Sequence, residues 1–112
     1  MPGYKGPMGV CPIPFVTTCL SQQVPNPTVQ VTGAITPDAT GQYYESGTFE
    51  HYPTYTHING LYYIWFADGL FWTLNGEIGN TETAFMWQTE DEGFGLAYPY
   101  GTATGTATIS CI

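Results

Sequence analysis

Two histidines, nine carboxylates and three cysteines are the residues of this chain that could do chemistry. His51 and His57 are the general-base candidates, but neither stands in a Ser-His-Asp or metalloprotease spacing. His51 follows Glu50, and neighbours on a strand point to opposite faces, so a structural or solvent-exposed role is expected for each. Glycoside hydrolysis needs two carboxyls about 5–9 Å apart in a cleft. Among nine acids such pairs arise by chance, and counting them identifies no site. Glu90-Asp91-Glu92-Gly93 offers the oxygen ligands that Ca²⁺ takes, without EF-hand spacing, and reads as a solvated loop. Cys11, Cys19 and Cys111 are odd in number, which leaves at least one thiol free or paired between chains. Three reduced thiols, a Cys11–Cys19 bridge and a bridge between the two ends of the chain all fit. A zinc site built from these cysteines with His51 and His57 lacks any C-x-x-C or H-x-x-x-H spacing. "GTATGTAT", residues 101–108, has no phosphate-loop lysine and no strand-to-helix context. No catalytic residue, cofactor or metal is therefore expected, and the chain reads as non-enzymatic.

Charge narrows the partners. One Lys, no Arg and nine acids give a formal net charge of −8. Nucleic-acid binding needs cations to displace counterions from phosphates, and docking on an anionic membrane needs a basic patch. Neither partner is expected. No apolar run approaches a bilayer-spanning length. The N-terminal "MPGYKGPMGVCPIPFV" has no continuous apolar stretch of the signal-peptide kind.

The elements that must position these residues are strands. Six of the nine prolines lie in residues 1–27. Proline fixes φ and removes a backbone donor, which bars a helix or a central strand there. An extended arm is expected, with Val10, Ile13 and Phe15 as apolar anchors on a partner surface. Residues 28–112 then form one domain. "TVQVTGAI" alternates and is β-branched. "QYYESGTF" reads as two short strands around Ser46-Gly47. Strand character returns near Tyr55, in "AFMWQT" and in "TATGTATIS". "EDEGFGLAYPYG" reads as a long acidic, Gly-rich loop. No segment carries a helical stripe. The fold class is all-β, a small antiparallel sandwich or barrel-like sheet with an extended Pro-rich N-terminal arm.

"YYIWFADGLFW", residues 62–72, departs from the alternation of a half-buried strand. Asp68-Gly69 between two apolar runs signals a hairpin with a two-residue type I′ turn. That register puts Tyr63, Trp65, Ala67, Leu70, Trp72 and Leu74 on one face, and Tyr62, Ile64, Phe66, Phe71 and Thr73 on the other. Both faces are apolar, so both need cover. Tyr62, Ile64, Phe66 and Phe71 are the expected interface, covered by the arm or by a neighbouring subunit. Stacking of a sugar on the tryptophans is the remaining choice.

Pro37-Asp38-Ala39-x-Gly41-x-Tyr43, the Tyr63–Trp65 strand, Trp72 to Gly79 and the terminal "GTATGT" carry a resemblance. Together they resemble a small Gly-, Thr- and aromatic-rich β module of uncharacterised bacteriophage and bacterial surface proteins, over residues 28–110. The resemblance implies a virion surface or adhesion role. With the arm and the acidic surface, it leads to a structural virion protein, a capsid decoration (cement) protein at the virion surface. Its expected partners are the major capsid protein or another virion protein, and further copies of itself, a trimer among the options. The alternatives are an extracellular carbohydrate-binding or adhesion-type module, or a filament or tail subunit.

Overall fold

A computed structural model describes residues 26–112. They form eight strands: β1 (Pro27–Thr32), β2 (Gly41–Phe49), β3 (Tyr52–His57), β4 (Tyr63–Ala67), β5 (Phe71–Asn75), β6 (Phe85–Thr89), β7 (Gly95–Gly101) and β8 (Ala107–Cys111). Each strand pairs antiparallel with the next, and β8 pairs back onto β1 through Val29↔Cys111 and Val31↔Ile109. The result is a closed barrel in simple meander order. The expected all-β class holds, and of sandwich and barrel the chain forms the barrel. The arm anchors Val10, Ile13 and Phe15, with Cys11 and Cys19, lie outside the described residues.

The inward residues alternate along every strand, as a pleat requires. Val29, Val31, Tyr43, Tyr55, Trp72 and Trp87 are among the fully buried ones. Outward residues across β8, β1 and β2 are polar: Thr108 faces Thr32, Ser110 faces Gln30, and Gln30 faces Gln42. Across these three strands a polar outer face backs an apolar inner one.

The hairpin register corrects the expected one. Asp68 and Gly69 do take positive φ, 57° and 67°, and the Leu70 N–H donates to the Ala67 carbonyl at 2.9 Å. Leu70 is nevertheless unpaired in the ladder, and Ala67 faces Phe71, Phe66 faces Trp72 and Ile64 faces Leu74. One extra loop residue turns the second strand over. Ile64, Phe66, Trp72 and Leu74 therefore line the barrel together, while Trp65, Phe71 and Thr73 point outward. "QYYESGTF" is one strand rather than two, with an irregularity between Glu45 and Gly47 in its pairing with β3. A bulge bends a strand without ending it. β7 occupies part of the stretch read as a loop. Its Pro99 is tolerated because the β7–β8 ladder stops at Ala97↔Ala107.

The β2–β3 connection is a two-residue loop in which Glu50 and His51 both take positive φ, 53° and 78°. L-residues with a Cβ pay for that conformation. Replacing the pair with Asn-Gly is expected to raise stability by about 1 kcal/mol, read as an upward shift of the thermal midpoint.

Candidate functional site

At the end where β1 stops and β2 begins, two connections seal the barrel. Residues 33–40 and 102–106 cross, and Thr36 and Thr104 exchange backbone hydrogen bonds at 3.1 and 2.9 Å. Ile35, Ala39 and Ala103 are buried beneath them. Tyr43 rises to this seal from inside and donates its hydroxyl to the Ala39 carbonyl at 2.6 Å. Burial pushes the Tyr43 phenol far above its ordinary value, with the neighbouring Tyr62 and Asp38 adding to the shift. The folded barrel keeps this proton at pH values where the unfolded chain has lost it. Its contribution is complete below about pH 10 and is lost as pH rises further. The urea midpoint is expected to fall above about pH 10, by up to about 1.4 kcal/mol per pH unit for this one phenol. Tyr43→Phe should flatten that part of the fall. On the rim outside, Asp38 accepts the Thr40 hydroxyl at 2.5 Å and the Thr40 N–H at 3.2 Å. Those two bonds hold its carboxyl below the usual range.

His57 belongs to the same seal and is buried. The Asn59 N–H donates to its Nδ1 at 2.9 Å. That makes Nδ1 the acceptor and places the ring proton on Nε2, which lies 2.7 Å from the Thr40 carbonyl. Both nitrogens serve the backbone. Gly41 makes room for the ring: a Cβ there would lie 2.8 Å from Nε2. His51 is exposed at the opposite end of the barrel, so the two histidines do not converge. Among the described residues no group of three His, Cys, Asp or Glu side chains could hold a metal ion.

At that opposite end, where Pro27 enters and Cys111 leaves, the acidic loop is folded down as a plug. Trp72 donates its indole N–H to the Glu92 carbonyl at 2.8 Å. The Thr89 hydroxyl accepts the Trp72 N–H at 2.9 Å and donates to the Asp91 carbonyl at 2.8 Å. Phe94 packs on Trp72 and Tyr55, with centroids 5.0 and 6.0 Å apart. The loop that read as merely solvated closes the core.

The outer face of β4–β5 is covered in part by the chain itself. Trp65 points outward yet is 2% exposed. Phe49 packs edge-on against it at 5.3 Å, and Gly79 of the 76–84 loop lies against Phe49. Asn75 holds that loop in place. Its Oδ1 accepts the Trp65 indole N–H at 3.0 Å and the Glu77 N–H at 3.1 Å. Its Nδ2 donates to the Asn80 carbonyl at 2.8 Å and the Thr83 hydroxyl at 3.1 Å. All four hydrogen-bonding positions of this buried amide are used.

The expected interface residues thus separate. Ile64 and Phe66 are in the barrel core, where no partner reaches them. Tyr62 packs at the sealed end against His57 and Phe85, and Phe71 is half-buried on the outside. The tryptophan platform is overturned, because Trp65, Trp72 and Trp87 are all buried. Large apolar side chains face outward in the loops, at Ile58, Leu61 and Leu70, and on β7. Leu96, Tyr98 and Tyr100 alternate along one side, with Leu96 53% and Tyr100 48% exposed. Tyr98 faces Gln88 and Tyr100 faces Met86 on β6. The alternation of Leu, Tyr and Tyr with small Ala97 and Pro99 was the signal for this ridge, masked by the acids and glycines before it.

The fold defines the class as an up-and-down β-barrel with a packed interior. No protein-family model, curated protein or solved structure matches the chain.

Proposed function

We propose that the chain is a non-enzymatic structural protein that acts through its exterior, and specifically a bacteriophage capsid decoration protein. The observation that carries this reading is the filled barrel. Aromatic side chains occupy the lumen up to both mouths, and the Thr36–Thr104 seal and the Phe94 plug close them. Recognition is left to the outside, where the β7 ridge of Leu96, Tyr98 and Tyr100 offers apolar and hydroxyl contacts. All nine acids lie in residues 38–92, and the one Lys is Lys5. The barrel thus favours a partner surface bearing Lys and Arg around an apolar contact. The resemblance to phage and bacterial surface modules supports the same placement.

Gold-labelled antibody raised against the purified chain tests the reading on virions of the phage that encodes it. Label distributed over the shell is the expected result. Label confined to the tail, or absent from intact particles, overturns it. Carbohydrate recognition keeps one foothold, the exposed Tyr100 and the half-buried Tyr98, which faces Gln88. A glycan panel that bound the wild-type chain and not Tyr98→Ala or Tyr100→Ala would favour that function instead.

A further inference from the structure

We propose that Asn59 is a site of spontaneous covalent modification: ring closure with Gly60 converts it to aspartate or isoaspartate and so loosens the seal to which His57 belongs. Two asparagines precede a glycine, in Asn59-Gly60 and Asn75-Gly76. A glycine nitrogen, with no Cβ beside it, meets the least hindrance in attacking the side chain before it. The fold treats the two pairs oppositely. Asn75 is fully buried, and its amide is held by hydrogen bonds with Trp65, Glu77, Asn80 and Thr83. Asn59, Gly60 and Leu61 are exposed in the β3–β4 turn. There the Asn59 Oδ1 accepts the Leu61 N–H at 2.8 Å, which polarises the carbonyl that is to be attacked. The attacking nitrogen is held by the turn bond from the Gly60 N–H to the His57 carbonyl, at 2.7 Å. Opening that bond takes a local fluctuation of an exposed turn. Freeing Asn75 takes the release of a buried amide together with the 76–84 loop.

Hydroxide removes the Gly60 amide proton. The nitrogen then forms a bond to Asn59 Cγ, the Cγ–Nδ2 bond breaks, and Nδ2 takes a proton from water and leaves as ammonia. One water opens the resulting cyclic imide at either of its two carbonyls. Opening at Cγ gives aspartate, and opening at the backbone carbonyl gives isoaspartate. Water is the only co-reactant, and nothing is oxidised or reduced. Either product adds one negative charge beside the buried His57. Isoaspartate also inserts one more carbon into the main chain between Asn59 and Gly60. That turn is tied to His57 twice, by the Asn59 N–H on Nδ1 at 2.9 Å and by the Gly60 N–H on the carbonyl at 2.7 Å. The far side of the same ring bonds the Thr40 carbonyl, so a lengthened turn disturbs the 33–40 connection. The reaction is the same whether or not the chain decorates a capsid.

Incubation of the full chain in mildly alkaline buffer, folded in one sample and in guanidinium chloride in another, tests the site. Chymotryptic peptides are followed by mass spectrometry, and fragmentation assigns each gain of one mass unit to a residue. In the folded chain the gain is expected at Asn59 with Asn75 intact, and in guanidinium chloride at both. Gly60→Ala, whose Cβ meets nothing within 4 Å, is expected to keep Asn59 intact over the interval in which half of the wild-type chain converts. Conversion of Asn75 as fast as Asn59 in the folded chain, or conversion of Asn59 in guanidinium chloride alone, overturns the site. The isoaspartyl form, separated by chromatography, is expected to unfold at a lower urea midpoint than the unmodified chain. An equal midpoint overturns the loosening of the seal.

Discussion

Trp72→Ala is expected to cost about 3–5 kcal/mol, the range for removing a large aromatic from a packed core. The ring touches Tyr55, Phe66 and Phe94, and its indole N–H is the bond that holds the acidic loop at Glu92. Its removal opens a cavity and unpins the plug together. Domains of this size are stable by about 5–15 kcal/mol in all, so the variant sits near the threshold of folding. The urea midpoint measures the loss. Trp72→Phe separates the two contributions: it keeps most of the ring and loses the indole N–H, at an expected cost of about 0.5–1.5 kcal/mol. A Trp72→Ala variant as stable as the wild type would show that Phe94 and the loop do not close the core as described.

Gly105→Ala carries the second large effect, about 3 kcal/mol. Gly105 has φ +84°, and a Cβ there would lie 2.2 Å from the Ala34 carbonyl oxygen. The backbone conformation alone costs an L-residue about 1–2 kcal/mol, and forcing atoms into a filled space about 1–3 more. The carbonyl of Gly105 also accepts the Trp87 indole N–H at 3.0 Å, so the segment cannot retreat without leaving a buried donor unpaired. Gly60 is the control. Its φ is +80°, and a Cβ there meets nothing within 4 Å. Gly60→Ala should show the conformational part only, and the difference between the two unfolding free energies measures the crowding at the seal. Equal losses would place the whole effect in the backbone.

These two sites also show how far the sequence could be read. The aromatic, β-branched composition and the absence of a helical stripe were enough for the all-β class. Asp68-Gly69 was enough for a hairpin. Its register was not legible, because Leu70 looks like a strand residue and is an unpaired loop residue. With a repeat of two, that single position decides whether Trp72 lies inside or outside. Closure was not legible either. Val29 meets Cys111 from opposite ends of the domain, and no local pattern encodes a pairing of that range. The cover over Trp65 was sought in the arm, a subunit or a ligand. It comes in part from Phe49 and the polar 76–84 loop, whose anchor Asn75 looks in the sequence like any turn residue. Trp87 and Trp72 were conspicuous as aromatics. Their donors' targets, the Gly105 and Glu92 carbonyls, are backbone atoms without a side-chain signature.

The meander returns to its own beginning, so none of the eight strands is left at a rim. A free rim is a template on which a second molecule can continue the hydrogen-bonding ladder, and then a third. Here that invitation has been withdrawn by geometry. Among the described residues, no folded strand offers its backbone to a growing fibril.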